Sequence, residues 1–233
     1  MTSGISSGVQ AMAASQKQLD SLANNLANSS TTAYKRQTSF VHAMAANRRG
    51  GQGEEVRVEN RTDFSQGDIR QTGNPLDLAL DGDGFFAVEG PSGEVFTRNG
   101  QFQVDRSGSL QTLDGFPIAW EGLQGAIDSE GSPIAISEEG VVSQDDRELG
   151  RLRLVNFQRP EQLESVDGGF FEAPDDFTEV AHTLTVRQHS LEGSNVSPIQ
   201  EMISMISVQR RFSGASNVLG MINETYRRLS RMQ

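Results

Sequence analysis

Gly4-Ile5-Ser6-Ser7-Gly8 spells the Gly-x-Ser-x-Gly pattern that raises a serine nucleophile on a tight strand-to-helix turn. The required context, a strand before Ser6 with an acid and a histidine placed later, does not accompany it, so the match is read as chance. The three histidines are His42, His182 and His189. The last two stand seven apart, which in a strand puts them on opposite faces and argues against a joint metal site. Asp77, Asp81 and Asp83 beside Gly82 and Gly84 suggest a calcium loop. Such a loop needs glycine at its sixth place, where a start at Asp81 or Asp83 puts Phe86 or Val88. A hairpin turn is the expectation there. Glu138, Glu139, Asp145, Asp146 and Glu148 could supply paired carboxylates for glycoside hydrolysis. Nothing marks two of them as buried, so a solvated face is expected. Glycosylation patterns at Asn28, Asn60, Asn195 and Asn223 are assigned to chance, two of them falling in or beside predicted helices. The reading is therefore of no catalytic residue, no metal and no cofactor.

The elements that would have to position any chemistry come next. The 233 residues carry 20 Lys+Arg against 31 Asp+Glu, a net charge of −11. Residues 121–180 alone hold 15 acids and 4 bases, so this stretch carries the imbalance and the rest is balanced. Phosphate backbones would be repelled, which excludes a nucleic-acid partner. There is no cysteine, hence no disulfide framework or thiolate chemistry. No apolar run approaches the roughly 18–20 residues that span a bilayer. The first residues lack the basic and apolar regions of a cleaved signal, so an expected exit from the cytoplasm would use another route.

Residues 3–28 predict an amphipathic helix with Thr2 or Ser3 as N-cap, stopped by Ser29-Ser30-Thr31-Thr32. Its apolar or small positions alternate by three and four: Ile5, Val9, Met12, Gln16, Leu19, Ala23 and Leu26, with Leu22 beside them. A second helix is predicted from Ser197, with Pro198 in its first turn. There Met205, Val208, Phe212, Ala215, Leu219, Ile222, Tyr226 and Leu229 repeat the alternation, a heptad stripe. Ile199, Met202, Ile203 and Ile206 widen its apolar face beyond what one partner helix covers. Between the helices, residues 33–46 read as a short extended piece and then a brief helix, 47–53 as a loop, and Glu55 to Glu59 as a short strand. Residues 64–190 read as all-β, a meandering antiparallel sheet or small barrel. Short apolar runs such as Phe85-Phe86-Ala87-Val88, Val95-Phe96-Thr97 and Arg151-Leu152-Arg153-Leu154-Val155 alternate there with Gly-, Asn- and Asp-rich turns.

Four stretches carry a family resemblance. Asp20-Ser21-Leu22-Ala23-Asn24-Asn25-Leu26-Ala27-Asn28 with Thr31-Thr32-Ala33-Tyr34-Lys35-Arg36 is the first, and Asp63-Phe64-Ser65-Gln66-Gly67 the second. The third runs from Gly73-Asn74-Pro75 through Gly84, Phe85 and Phe86 to Thr97-Arg98-Asn99-Gly100. The fourth is Leu191-Glu192-Gly193-Ser194-Asn195-Val196 with Pro198, Glu201-Met202, Met205-Ile206 and Gln209-Arg210-Arg211-Phe212. Together they resemble the flagellar rod and hook proteins of bacteria. The signature positions taken from them are Asn24, Asn25, Leu26, Asn28, Tyr34, Asn74, Pro75, Gly84, Phe85, Arg98, Asn99, Gly100, Glu192, Gly193, Ser194 and Asn195. Ala33 departs from the pattern, which usually has glycine there. Alanine resists positive φ at a cost of about 1 kcal/mol or more.

The resemblance implies a structural, non-enzymatic axial subunit exported by the flagellar type III apparatus and polymerised helically. Its partners would be copies of itself and other axial rod and hook subunits, with no small-molecule substrate. It would sit in the basal-body rod outside the cytoplasmic membrane, in the periplasm of a cell with an outer membrane. The length and the short segment between residues 35 and 63 resemble the proximal-rod branch more than the distal-rod or hook branches. The expected fold is mixed α and β, with long terminal helices packed as a coiled-coil-like domain around an all-β middle. Its parts are a helix at 1–32, a connector at 33–63, a β domain at 64–190 and a helix at 191–233. Two other classes stay open on the residues alone: a secreted module whose acidic β domain binds a basic ligand, and a hydrolase using clustered carboxylates.

Overall fold

The structure, a computed structural model, describes residues 2–230 apart from 49, 50, 92, 123, 129, 130, 146, 167, 175, 176 and 181–183, with no side-chain description at 2–7, 41–58, 223, 226, 229 and 230. The chain divides into two compact units. One holds residues 1–29, 37–63 and 196–233, the other 30–36 and 64–195.

The first unit contains both long helices, α1 (Thr2–Ala27) and α2 (Pro198–Ser230). Short polar side chains end α1: Asn28 Nδ2 donates to Asn24 O at 2.9 Å and Ser29 Oγ to Leu26 O at 2.8 Å, each adding to the backbone N–H of the same residue on that carbonyl. Pro198 opens α2, and Arg227 and Arg228 in its last turn complement the helix dipole.

Residues 37–63 contain the strand expected at Glu55–Glu59 but, in place of the brief helix, a second strand. Gln37–Arg48 and Gly51–Thr62 form an antiparallel hairpin, paired in register from Gln37 with Thr62 to Arg48 with Gly51, and it lies against α1. This overturns the coiled-coil-like pairing of the terminal helices, since α1 shares its surface between a helix and a hairpin. The residues α1 buries most are Ala14, Ser21 and Asn25, which lie off the heptad row, whereas Val9 on that row is 54% exposed. Heptad spacing shows that a helix has an apolar stripe. It does not show that one helix covers it.

The second unit is built of antiparallel strands, as expected, but not as one meander or a barrel. A six-stranded sheet runs in the order Glu164–Val166, Phe170–Glu172, Gly93–Thr97, Phe85–Gly90, Leu154–Phe157, Glu179–Val180, with an open edge at each end. A four-stranded sheet orders Ala135–Ile136, Val141–Gln144, Arg147–Leu152 and Trp120–Glu121. Three further pairs join Thr185–Gln188 to Leu78–Asp81, Ser190–Glu192 to Ile69–Gln71, and Phe102–Val104 to Leu110–Thr112. The stretch expected as one strand around Arg153 divides there. Arg153 N–H donates to Ala119 O at 2.9 Å while its carbonyl accepts from Ala87 N at 3.1 Å, so the chain leaves one sheet and enters the other.

Strand alternation explains why the six-stranded sheet is apolar on both faces. Phe86, Val88, Val95, Leu154 and Phe170 join a core with Leu78, Leu80, Phe102 and Leu152, while their neighbours Phe85, Ala87, Phe96, Val155 and Phe171 join a second core with Phe157. Phe64 closes the second core edge-on, 5.4 Å from Phe85 and 4.9 Å from Phe171 between ring centroids.

Candidate functional site

All four resembling stretches meet inside the β unit, at the carboxylate of Glu192. That carboxylate has no exposed surface. Its Oε1 accepts from Lys35 Nζ at 2.6 Å and from the backbone N–H of Gly67 at 2.8 Å, and its Oε2 from Arg98 Nη1 at 3.3 Å. Lys35 also donates to Ser65 O at 2.8 Å, and the Arg98 guanidinium lies 5.3 Å over the ring of Phe85. Burial pulls the Arg98 pKa below its ordinary value, opposed by the charges of Glu192 and Asp83 and by the hydrogen bond to Glu192. An arginine so placed still remains a cation.

Backbone geometry sets the network in place. Glu192 ends the strand Ser190–Glu192. The N–H of Ala33 donates to its carbonyl at 2.8 Å, that of Arg36 to Asn195 Oδ1 at 2.7 Å, and that of Asn195 to Tyr34 O at 3.3 Å. Ala33 adopts φ +55°, so the alanine takes the left-handed geometry that its side chain resists. Gly67 has to be glycine, because a Cβ there would lie 2.1 Å from Gly193 O.

The remaining signature positions are turn and packing residues. Asn74 accepts from Leu76 N and donates to Asp77, and Pro75 O receives Gln188 Nε2 at 2.8 Å. Asn99 Oδ1 accepts from Gln101 N at 3.1 Å, and a Cβ on Gly100 would stand 1.7 Å from Leu78 O. At Gly84 a Cβ would meet Leu184 at 2.1 Å. The three aspartates of the suspected calcium loop go to separate tasks: Asp77 with Asn74, Asp81 with Arg187, and Asp83 near Arg98. Glu138, Glu139, Asp145 and Glu148 are exposed. His189, also exposed, occupies a corner at φ +59°. The side chains of Ser6 and His42, with all of Asp146 and His182, lie outside the described residues.

In the helical unit Asn25 plays the corresponding part. Its Nδ2 donates to Gln37 O at 2.7 Å and to Glu201 Oε2 at 3.2 Å, and its Oδ1 accepts from Gln37 N at 2.9 Å. Ser21 Oγ adds a bond to Gln37 O at 3.2 Å. One asparagine thus joins α1, the first residue of the hairpin and the first turn of α2. Asn24 is exposed and Asn28 serves the helix end.

The apolar positions of the helices fall into two sets. Val208 is buried, and Met12, Leu19, Leu22, Leu26, Met205, Phe212, Leu219 and Ile222 are half-buried. Gly8 admits Leu219 so closely that an added Cβ would stand 2.8 Å from its Cδ2. Ile199, Met202, Ile203 and Ile206 are instead open, Ile199 to 73%, and Val218 and Met221 join them. The side chains of Ile5, Tyr226 and Leu229 are outside the described residues.

Lys35, Ser65, Gly67 and Glu201 were missing from the residues singled out in the sequence. All four stand within the resembling stretches but outside the signature positions drawn from them, and lysine and glutamate are normally solvated. A glutamate in a first helical turn also has an ordinary explanation in the dipole.

Locked β unit and open helical face together define a building-block protein, one whose working chemistry is in its surfaces. The chain belongs to the flagellar basal-body rod protein family. Residues 5–35 match the description "Flagella basal body rod protein", 79–144 "Flagellar hook protein FlgE/F/G D1 domain" and 187–232 "Flagellar basal body rod FlgEFG protein C-terminal". The chain is 31% identical to the flagellar basal-body rod protein FlgF of Caulobacter vibrioides over 215 residues, covering 88% of this chain and 86% of that one. It is 31% identical to FlgF of Salmonella typhimurium over 234 residues, 90% of each chain. To FlgG of Borreliella burgdorferi it is 31% identical over 255 residues, 93% of this chain and 96% of that one. Among the described residues no helix is long and apolar enough to cross a membrane.

Proposed function

We propose that this chain is a structural subunit of the bacterial flagellar basal-body rod, polymerising helically through the outer faces of its terminal helices and transmitting torque along the shaft. The observation that carries the reading is the open apolar face of α2 at Ile199, Met202, Ile203 and Ile206. Apolar surface of that size on one helix favours burial against another molecule, and family membership makes rod subunits the natural partners. Copies of the same chain and the neighbouring rod and hook subunits are the partners proposed. Delivery is by the flagellar type III export apparatus, to the rod beyond the cytoplasmic membrane.

Within the family we place the chain in the proximal rod, with the distal rod as the alternative. The alignment with the Borreliella FlgG relative is longer than this 233-residue chain by a wider margin than that with Salmonella FlgF, while the Caulobacter FlgF alignment is shorter than the chain. Relatives of the FlgG kind therefore carry residues that this chain lacks.

The test is Ile203→Asp in cells whose own copy of the gene is deleted. The reading expects a folded, exported subunit that is absent from isolated basal bodies and does not restore motility. Rods of normal composition containing the variant would overturn it.

A further inference from the structure

The short segment 30–36, with 31–36 as its contacting part, belongs to the β unit, although the residues on either side of it, 29 and 37, belong to the helical unit. It reaches the β unit chiefly through polar contacts. Ala33 N–H bonds Glu192 O at 2.8 Å, Arg36 N–H bonds Asn195 Oδ1 at 2.7 Å, and Tyr34 O accepts from Asn195 N at 3.3 Å. The Lys35 ammonium is a deep anchor, held by Glu192 at 2.6 Å and Ser65 O at 2.8 Å with only 1% of the side chain exposed, and Ala33 beside it is buried too. None of these residues belongs to either apolar core.

The receiving site is built largely without the segment. Glu192 retains Arg98 and the Gly67 N–H when Lys35 is removed from consideration, and Glu192 itself sits on a strand paired with Ile69–Gln71. One feature works against docking: Ala33 is held at φ +55°, a conformation that alanine leaves readily when released.

We propose that residues 31–36 are a latch that opens and closes on the β unit independently of its core, with Lys35 as the bolt, Glu192 as the keeper and the left-handed backbone at Ala33 as the strain favouring release. Closing the latch fixes where the chain enters and leaves the β unit, since it ties residues 33–36 to residues 192–195. Opening it frees that stretch without exposing apolar core. A local opening of this kind has a lower free energy than global unfolding and is resolved by amide exchange.

The experiment is hydrogen exchange on the full chain, with Ala33 and Arg36 as latch amides and Leu78 and Ala87 as core amides bonded to Gly100 O and Arg153 O. In the unaltered chain the latch amides should exchange at least about tenfold faster than the core amides. Ala33→Gly should slow the latch amides several-fold and Lys35→Met should speed them at least about tenfold, and in both the latch amides should keep a weaker urea dependence than the core amides. Latch amides that match the core in the unaltered chain, or whose exchange rises with urea as steeply as that of the core, would overturn the proposal. Should Lys35→Met fail to fold, that too counts against an independent latch. The Ala33→Gly comparison decides separately, because no slowing there removes the role assigned to strain.

Discussion

At Glu192 a carboxylate without exposed surface is balanced by two cations and one peptide N–H. Removing one side of a buried ion pair leaves the other side uncompensated, which costs about 3–5 kcal/mol. Glu192→Gln should therefore lower the unfolding free energy by about that amount in urea titration, and by more than Lys35→Met, which leaves Glu192 paired with Arg98. Ala33→Gly should act in the opposite direction. Releasing the left-handed strain gains about 1 kcal/mol, of which glycine's looser unfolded chain takes back a part. A smaller but cleaner effect concerns Asp105. Its carboxylate is held below the ordinary range first by the Ser107 hydroxyl and then by the N–H groups of Ser109, Ser107 and Gly108. With a depressed folded pKa, this support is present above the ordinary carboxylate value and is lost as pH falls through the lowered one. Asp105→Asn should flatten the fall of the urea midpoint as the pH drops below the ordinary aspartate range, where the lowered group titrates.

Close backbone approaches decide what the strands tolerate. Gly100→Ala places a methyl 1.7 Å from Leu78 O, a backbone atom that cannot turn aside, and should cost about 3 kcal/mol or more by thermal unfolding. Ile203→Asp lies on an open face and should stay within about 0.5 kcal/mol of the unaltered monomer, so any loss of incorporation belongs to the interface. The elements differ in how far the sequence revealed them. Both helices were legible, with the stop of α1 and the start of α2, because Ser29-Ser30-Thr31-Thr32 and Pro198 act within a turn of where they stand, whereas Thr2 and Ser3, expected to cap α1, lie within it. The Phe85 to Val88 run and its turns were equally local. In the hairpin at 37–62 the alternation at Glu55–Glu59 was read as a strand, but its partner was hidden because residues such as Ala43, Ala45 and Ala46 carry no strand preference and its register is set across the turn. Lys35 and Arg98 could be named as part of a resembling stretch, but their convergence on Glu192 is a property of the tertiary fold.

Taken whole, the chain leaves the helical unit and returns to it before its last helix, so neither unit is one continuous segment. The protease-resistant β fragment should therefore extend through Asn195 and past the limit of 190 expected from the sequence. A fragment of residues 30–195 should melt about 10 °C above one ending at 190, which lacks Glu192, on circular dichroism; equal midpoints would show the network to be dispensable. The same arrangement has a kinetic side. The bond from Lys35 to Glu192 spans 157 residues and that from Asn25 to Glu201 spans 176. The pairing of Ser190–Glu192 with Ile69–Gln71 likewise joins late chain to early chain. Loop-closure entropy for contacts this distant has to be met before they repay it, which slows folding. During synthesis neither lock can close until its late residue has been made, so both come after the local hairpins such as Phe85–Gly90 with Gly93–Thr97.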